Sequence, residues 1–188
     1  MSYGEWYDYG MIEIEKRGLL TEEKYNQLLS FLDTRAEGLG EDNKDVVYYI
    51  YDDKLLKVVN NLSKNNAKVS LKMNKLGDST STREIEAVFN QQDYSKMKEI
   101  LDIVAHAPQA IEGSQKRKNF MYKGCEIAVK WSKDWGHHFE IEKVTENELE
   151  VAVLEQELER VIRELDVTAM TNEEIQEFQK KIEAAAKK

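Results

Sequence analysis

Alternation of charged and aliphatic residues with a period of two is the feature that most constrains how this chain can fold. In the first example, Ile14 lies between Glu13 and Glu15. The pattern recurs in KVSLK (68–72), REIE (83–86) and FEIE (139–142). Because successive side chains of a β-strand point to opposite faces of a sheet, each segment predicts a strand with one aliphatic and one charged face.

Three further segments are rich in β-branched and aromatic residues, which favour strands. They are VVYYIY (46–51), KLLKVV (54–59) and CEIAVKW (125–131). Parallel pairs would need a crossover helix between consecutive strands, and few helices separate these segments. About seven or eight strands are therefore expected in an antiparallel sheet.

Apolar residues with helical spacing predict helices at both ends of the chain and in its middle. The helices are expected after the cap residue Thr21, from Asp93 to before Pro108, from Leu149 to Leu165, and from Thr171 or Asn172 onward. Their apolar stripes are Tyr25, Leu28, Leu29 and Leu32; Met97, Ile100, Leu101 and Val104; Leu149, Val153, Leu154, Leu158, Val161, Ile162 and Leu165; and Ile175, Phe178 and Ile182. These stripes must be buried against another surface.

The direction of the charged strand faces decides what the fold can do. For a single strand, exposure of its charged face to water is the favoured interpretation. If the helices instead pack on the aliphatic faces, the charged faces of all strands turn toward one another, and a closed sheet encloses a polar tunnel. In such a lumen, clustered carboxylates need a metal or a cationic partner, and clustered lysines and arginines call for phosphate.

Length and charge narrow the classes of protein. A chain of 188 residues is expected to form one domain, over residues 1–168, with a helical tail over residues 169–188. A formal net charge of −9 argues against general nucleic-acid binding. The stretch 54–75 nevertheless lacks acidic residues after Lys54 and would favour an anion. Its lysines are Lys54, Lys57, Lys64, Lys68, Lys72 and Lys75.

The cellular setting predicted from the sequence is the cytoplasm. The start MSYGEWYDYG lacks the pattern of a secretory signal, and no apolar run approaches the roughly 20 residues that cross a bilayer. The single cysteine, Cys125, is expected to be a packed core thiol. His137 and His138 beside Gly136 are expected at an exposed turn rather than as metal ligands.

The ordered series of motifs resembles the CYTH family of triphosphate tunnel metalloenzymes, which includes class IV adenylyl cyclases and thiamine triphosphatases. IEIEKR (12–17) is similar to the opening ExExK motif, and VKWSKDWGHHFEIE (129–142) is similar to the closing strands. Between them, YYIYDDKLLKV, KVSLK, REIE and RKNF follow the order of the family's tyrosine, lysine, acidic and arginine strands. The likeness covers about residues 11 to 165.

The resemblance implies an α+β fold, with a closed eight-stranded antiparallel barrel that helices cover, and a Mg²⁺ or Mn²⁺ cofactor. Carried over by position, it implies that catalytic and metal-side carboxylates are Glu13, Glu15, Glu140 and Glu142, with Glu86 as a further metal-side candidate. The implied substrate contacts are Arg17, Lys57, Lys72 and Arg117, and we add Lys130.

Three positions depart from the family pattern. Val59 lies where a second basic residue is usual, Gln115 where a lysine is common, and Lys130 where the family has an aspartate. These changes are compatible with a different ligand, a slower enzyme, or a barrel that binds without hydrolysis.

The functional prediction is metal-dependent hydrolysis of an inorganic or organic triphosphate. Alternatives are a class IV-type adenylyl cyclase that makes cyclic AMP from ATP, and a non-catalytic polyphosphate or nucleotide-binding protein. The expected partner is a small triphosphate or polyphosphate, with no nucleic acid or membrane, and the protein is expected to be a monomer or a homodimer. Residues 149–188 are an alternative partner-binding or dimer-forming element, although an apolar stripe of this kind more often packs on the barrel as ordinary core.

Overall fold

A computed structural model describes residues 12–73 and 79–186 of the chain. The opening segment MSYGEWYDYG, which lacks the pattern of a secretory signal, lies outside these ranges. Lys75 of the lysine-rich stretch and the last two residues of the predicted tail also lie outside them. The described ranges contain nine β-strands and four α-helices.

The strands follow one another with few helical interruptions, as the sequence predicted. They are β1 (Ile12–Leu19), β2 (Glu37–Glu41), β3 (Lys44–Ile50), β4 (Leu55–Asn61), β5 (Asn66–Lys72), β6 (Ser81–Asn90), β7 (Gln109–Tyr122), β8 (Cys125–Ser132) and β9 (Gly136–Thr145). The helices are α1 (Glu22–Arg35), α2 (Tyr94–Val104), α3 (Val151–Glu164) and α4 (Asn172–Ala186). The Thr21 side chain caps α1 by accepting a hydrogen bond from the Lys24 backbone N–H.

Eight of the strands close an antiparallel barrel in the order β7-β3-β4-β5-β6-β1-β9-β8, with β8 returning to β7. The long strand β7 makes closure possible, because residues 109–115 pair with β3 and residues 115–122 pair with β8. The predicted α+β fold with an eight-stranded barrel is confirmed. The sequence did not reveal β2, which pairs with β7 outside the closed barrel and is exposed along its whole length.

Aliphatic side chains of β1, β3, β4, β7, β8 and β9 point outward and lie beneath the helices. One hydrophobic cluster joins α1 and α3 to β1, β7, β8 and β9, through fully buried side chains such as Leu32, Leu158, Ile14 and Phe139. Cys125 belongs to this cluster, which confirms its prediction as a packed thiol. Burial of these side chains leaves the alternate, charged positions of the same strands to face the interior of the barrel.

A second cluster lies under α2, where Met97 and Leu101 pack against Val47, Tyr49 and Val58 of β3 and β4. The predicted apolar stripe of α2 was too wide, because Ile100 and Val104 are more than half exposed. They lie on the side of the helix that turns away from the sheet.

The predicted stripe of α3 was also wrong at its beginning. The helix starts at Val151, after a short 3₁₀ turn over Glu148–Glu150, so Leu149 is off the helical face and 88% exposed. Val153 is also more than half exposed. Burial in α3 begins instead around Leu158 and continues through Val161 and Ile162.

Helix α4 lies across one mouth of the barrel. Its Phe178 ring is 4.8 Å from the Trp135 ring, between β8 and β9, and Gln109 Nε2 of β7 donates to the Glu183 carbonyl at 3.1 Å. The preceding segment follows β1 closely, since the Met170 N–H donates to the Arg17 carbonyl at 2.8 Å. None of the helices in the described residues is long and apolar enough to span a membrane.

Candidate functional site: the charged lumen of the barrel

The barrel encloses a cavity of about 660 Å³, and charged side chains from all eight of its strands line it. Its cationic lining residues are Arg17, Lys44, Lys54, Lys57, Lys64, Lys68, Lys72, Arg117 and Lys130. Its acidic lining residues are Glu13, Glu15, Asp42, Glu84, Glu86, Glu126, Asp134, Glu140, Glu142 and Glu183. The lumen therefore has the polar character that the alternating strands predicted.

Three glutamates form what we call the carboxylate cluster: Glu13 and Glu15 of β1 and Glu142 of β9. One carboxylate oxygen from each lies within 4.8 Å of those of the other two. Strand register explains the meeting, because Glu15 pairs directly with Glu142 across the β1–β9 ladder. The three residues were all predicted as metal-side carboxylates, and the structure brings them together.

Burial and mutual repulsion make this cluster costly without a counter-ion. Burial, followed by the charge of Glu15, raises the pKa of Glu13 to about 9. Burial also raises the pKa of Glu142, and nearby Glu15 and Glu140 act in the same direction. Oε2 of Glu13 is buried, and the Lys72 ammonium is its ion-pair partner. Three convergent carboxylates fit a hard divalent cation such as Mg²⁺ or Mn²⁺.

Lys72 of β5 is the cation that lies at the carboxylate cluster. Its Nζ is 2.5 Å from Glu13 Oε2 and 3.1 Å from Glu15 Oε2. Glu84 lies beside it, with Oε2 3.7 Å from Lys72 Nζ and Oε1 3.1 Å from Lys57 Nζ. Lys57 and Lys72 lower the pKa of Glu84 against its burial, so this carboxylate stays ionised.

A second group has the opposite charge balance, and we call Arg17, Arg117 and Lys130 the cation cluster. All three surround Glu140: Lys130 Nζ is 2.6 Å from Oε2, Arg17 Nη1 is 3.2 Å from Oε1, and Arg117 Nη1 is 3.8 Å from Oε2. Arg17 also pairs with Glu15, which links the two clusters. The side chains of the cation cluster are 4–13% exposed, so solvent screens their charges poorly.

The pKa values in this cluster follow from its geometry. Lys130, Arg17 and Arg117 hold the pKa of Glu140 well below its usual value, although burial acts in the opposite direction. Burial lowers the pKa of Lys130, and the charges of Arg117 and Arg17 reinforce this effect although Glu140 opposes it. Arg17 also pairs with Glu15, and Arg117 with Asp42 and Glu126. The three cationic groups nevertheless direct several donors toward one point, where they can contact a further anion.

His138 contradicts the prediction of an exposed turn. It lies in β9, is 3% exposed and lines the lumen opposite Lys130, its partner in the β8–β9 ladder. Its Nδ1 is 2.9 Å from the Gly136 carbonyl. Burial and the charge of Lys130 lower the pKa of His138 to about 4, so the ring is neutral at physiological pH. The turn prediction failed because β9 begins at Gly136, two residues earlier than His138.

The remaining predicted site residues, Glu86, Glu140 and Lys57, line the lumen but do not belong to the carboxylate cluster. Glu86 lies on the lumen side of β6, but its side chain is 38% exposed and pairs with Lys68 rather than with the carboxylate cluster. Glu140 lies among cations, two residues from Glu142 on the same strand. Lys57 lines the lumen and pairs with Glu84.

Several lumen residues were not singled out from the sequence. Glu84 was recognised only as part of an acidic strand, and Asp42, Lys44 and Asn119 were not recognised. Asp42 is 3% exposed, pairs with Lys44 at 2.7 Å, and accepts from Asn61. Burial raises its pKa, but Lys44 and other partners overcome this effect and lower it. The period-two alternation of β6 could have identified Glu84, because Glu84 lies on the same face of the strand as Glu86.

The departures from the family pattern also face the lumen. Val59 is 4% exposed and lines the cavity, so it contributes an aliphatic surface where a cation was expected. Gln115 donates a hydrogen bond from Nε2 to the Tyr48 hydroxyl at 2.6 Å. Lys130 is a member of the cation cluster, and its Nζ pairs with Glu140.

Comparison with known proteins identifies the fold. No family model matches the chain, and no curated protein matches it significantly. A candidate adenylate cyclase from Vibrio parahaemolyticus is similar, with a TM-score of 0.66 and 14% identity over 85% of this chain and 91% of that one. A candidate adenylyl cyclase from Hippeastrum with a dominant triphosphatase activity has a TM-score of 0.58 and 16% identity, over 85% and 89% of the two chains.

The same fold also occurs in a protein that is described neither as a cyclase nor as a triphosphatase. A chain in the Schizosaccharomyces pombe Mediator head module has a TM-score of 0.62 and 11% identity, over 85% of this chain and 96% of that one. At these identities the similarity establishes the fold alone. The fold that the resemblance to CYTH proteins implied is thus confirmed, and the activity must be argued from the lumen.

Proposed function

We propose that the protein hydrolyses a small triphosphate-containing molecule with the help of a divalent metal ion. The observation that carries this proposal is the pair of oppositely charged clusters inside one enclosed lumen. A metal–triphosphate complex has a cationic and an anionic part, and the carboxylate cluster and the cation cluster match these parts. Either cluster alone would be compatible with many ligands.

Glu13, Glu15 and Glu142 would hold the metal ion. Their convergent oxygens and the preference of Mg²⁺ and Mn²⁺ for carboxylate ligands support this assignment. When bound, the ion would neutralise charge on the phosphate oxygens and assist attack by water. Glu140 is assigned to the cation cluster in this proposal, and Glu86 to the more exposed wall.

The basic residues would hold and orient the phosphates. Arg17, Arg117 and Lys130 approach one point from three different strands, so they can contact oxygens of a phosphate chain from several sides. Lys57 and Lys72 line the adjacent wall. Phosphoryl transfer depends chiefly on positioning and charge neutralisation, and this arrangement provides both. Removal of solvent strengthens each interaction.

Inorganic triphosphate is the substrate that this lumen favours. Among the described residues that line it, the aromatic rings are Tyr48, Trp135 and His138. Trp135 is engaged with Phe178, His138 and the Arg17 guanidinium, and Tyr48 is bonded to Gln115. A nucleobase or thiamine ring would have to compete with these contacts of Trp135 or stack on Tyr48, whereas inorganic triphosphate requires no ring.

A non-catalytic binder is the second candidate, because Val59 leaves one wall of the lumen without the expected cation. A cyclase would use the same residues on ATP. Incubation of the protein with inorganic triphosphate, ATP or thiamine triphosphate, each with Mg²⁺ or Mn²⁺, separates the three. Phosphate release supports hydrolysis, cyclic AMP indicates a cyclase, and stabilisation without turnover indicates a binder.

The proposal also covers the location, the oligomeric state, the partner and the domain organisation of the protein. We infer a cytoplasmic protein, a monomer or a homodimer, whose partner is the small phosphate ligand. We also propose that residues 1–168 form the catalytic unit, and that the tail from residue 169 acts with it by covering one mouth of the tunnel. Contacts of α4 with Trp135 and Gln109 support this role for the tail.

A further inference from the structure

Lys72 contacts carboxylates that would have to be available if a metal ion is to bind them. Its ammonium is 2.5 Å from Glu13 and 3.1 Å from Glu15, two of the three members of the carboxylate cluster. Its side chain is 11% exposed, so water offers little alternative solvation. The ammonium is thus a counter-ion of the cluster, together with the Arg17 guanidinium at Glu15.

An ammonium and a divalent cation cannot share these oxygens. Two cations a few ångströms apart repel each other strongly in a poorly screened site, and each carboxylate oxygen has a limited number of partners. A divalent ion that binds Glu13 and Glu15 must therefore displace the Lys72 ammonium.

The structure also contains a position to which the ammonium can move. Glu84 Oε2 is already 3.7 Å from Lys72 Nζ, and its other oxygen is held by Lys57 at 3.1 Å. Glu84 further accepts a hydrogen bond from Ser70. A small movement toward Glu84 would place the Lys72 ammonium beside Lys57, within the wall of the cavity and available to an anion.

We propose that Lys72 exchanges between two partners: the carboxylate cluster when no metal is bound, and the phosphate ligand when the metal has displaced it. Metal binding thereby creates a phosphate contact, and phosphate binding removes a competitor of the metal. The two ligands must then bind cooperatively, and by linkage each raises the affinity of the other by the same factor. This inference rests on the proposed function, because it concerns the order in which that site is filled.

Acetylation of lysines in the wild-type protein tests the exchange directly. The protein is treated briefly with acetic anhydride, alone, with Mn²⁺, and with Mn²⁺ plus inorganic triphosphate, and acetylation of each lysine is measured by mass spectrometry. Lys72 should react faster with Mn²⁺ alone and slower again when triphosphate is added. Lys68, which pairs with Glu86, should not respond to Mn²⁺ alone. Unchanged reactivity of Lys72 on addition of saturating Mn²⁺ would overturn the inference.

Titration calorimetry of Lys72→Met gives an independent readout, with Lys68→Met as the matched control. Without the competing ammonium, Lys72→Met should bind Mn²⁺ about tenfold more tightly than wild type and should lose most of the cooperativity with triphosphate. Lys68→Met should keep the wild-type affinity for Mn²⁺. Equal or weaker Mn²⁺ binding by folded Lys72→Met contradicts the exchange, and if this variant does not fold, the acetylation result decides.

Different results would contradict the proposed function and the exchange of Lys72. If the wild-type protein binds neither Mn²⁺ nor inorganic triphosphate, the proposed function is wrong and the exchange with it. If it binds both, but independently and without a change at Lys72, the exchange alone is wrong.

Discussion

The carboxylate cluster of β1 and β9 and the cation cluster of β1, β7 and β8 lie in the same lumen, yet they have opposite charge balances. Glu140 and Glu142 show the difference, because they are two residues apart on β9 and face the same side. Glu142 joins two other glutamates, and Glu140 lies between Arg17, Arg117 and Lys130. Depth along a strand, and not only the face of the strand, thus determines the chemistry of a lumen residue.

The two clusters also differ in the sign of the charge that a ligand would have to supply. The carboxylate cluster brings three acidic groups close together, and the pKa values of Glu13 and Glu142 are raised. The cation cluster has three positive groups around one carboxylate, whose pKa is lowered. A ligand with separated positive and negative parts would satisfy both, and variants that alter one cluster at a time can test whether the two act differently.

The largest effect is expected for Glu142→Gln, which removes a charged oxygen from the carboxylate cluster at nearly constant volume. We expect metal-dependent turnover to fall by about 10²–10³-fold or more, with an unchanged circular dichroism spectrum. Glu13→Gln should behave in the same way. Glu86→Gln is the matched control, since its side chain is more exposed and pairs with Lys68. Wild-type activity in both cluster variants would refute their assignment as metal ligands.

The pH dependence of stability should report the burial of His138 and the positive charge of Lys130 beside it. The pKa of His138 is lowered to about 4 in the folded protein, below an unfolded value near 6.5, so the unfolded state binds more protons between these values. As pH falls from 6.5 to 4, this group should remove about 3 kcal/mol of stability.

Urea denaturation of wild type and His138→Gln across this range measures that contribution. The difference between the two proteins should isolate it from the titration of carboxylates. Removal of the neighbouring charge by Lys130→Met should weaken the dependence. Parallel stability curves for wild type and His138→Gln would show that His138 is not held neutral.

Loss of one phosphate contact should have a smaller effect. Lys130→Met removes one of three cations, and a charge-assisted hydrogen bond contributes about 1.5–3 kcal/mol. We therefore expect triphosphate affinity to fall by about 10- to 100-fold, while Mn²⁺ affinity without triphosphate is unchanged. An unaltered triphosphate dissociation constant, measured by calorimetry, would exclude Lys130 from the binding site and leave it as a structural partner of Glu140.

The smallest effect is expected at Gly18, where the chain before α4 crosses β1 near the cation cluster. A Cβ at this position would lie 2.1 Å from the Thr168 carbonyl oxygen and 2.7 Å from the Phe139 ring. Gly18→Ala should cost about 1–3 kcal/mol in the free energy of unfolding. Gly38→Ala, which would contact nothing within 4 Å, provides the control. Equal thermal stability of the two variants would contradict the close approach.

The sequence predicted which face of each strand carries charge, because a period of two is visible in single segments such as Glu13-Ile14-Glu15. It could not predict depth in the barrel, which depends on register between strands that are distant in sequence. For that reason Glu86 was chosen over Glu84, although Glu84 is the residue beside Lys72. The strand β2 and the first half of β7 were missed because glycines and polar residues interrupt their alternation.

Local context also concealed the role of His138. Adjacent histidines after a glycine are typical of a turn, but pairing of β8 with β9 continues to Gly136 and buries the second ring. Closure of a barrel is a property of the whole chain. Residues near the ends of strands are therefore the ones for which local patterns predict burial least well.

The most direct test of the two-cluster account is a crystal structure of the protein with Mn²⁺ and inorganic triphosphate, with manganese located by its anomalous scattering. The account predicts a manganese peak in contact with Glu13, Glu15 and Glu142, and phosphate oxygens in contact with Arg17, Arg117 and Lys130. A manganese peak at Glu140, or triphosphate bound outside the barrel, would contradict it.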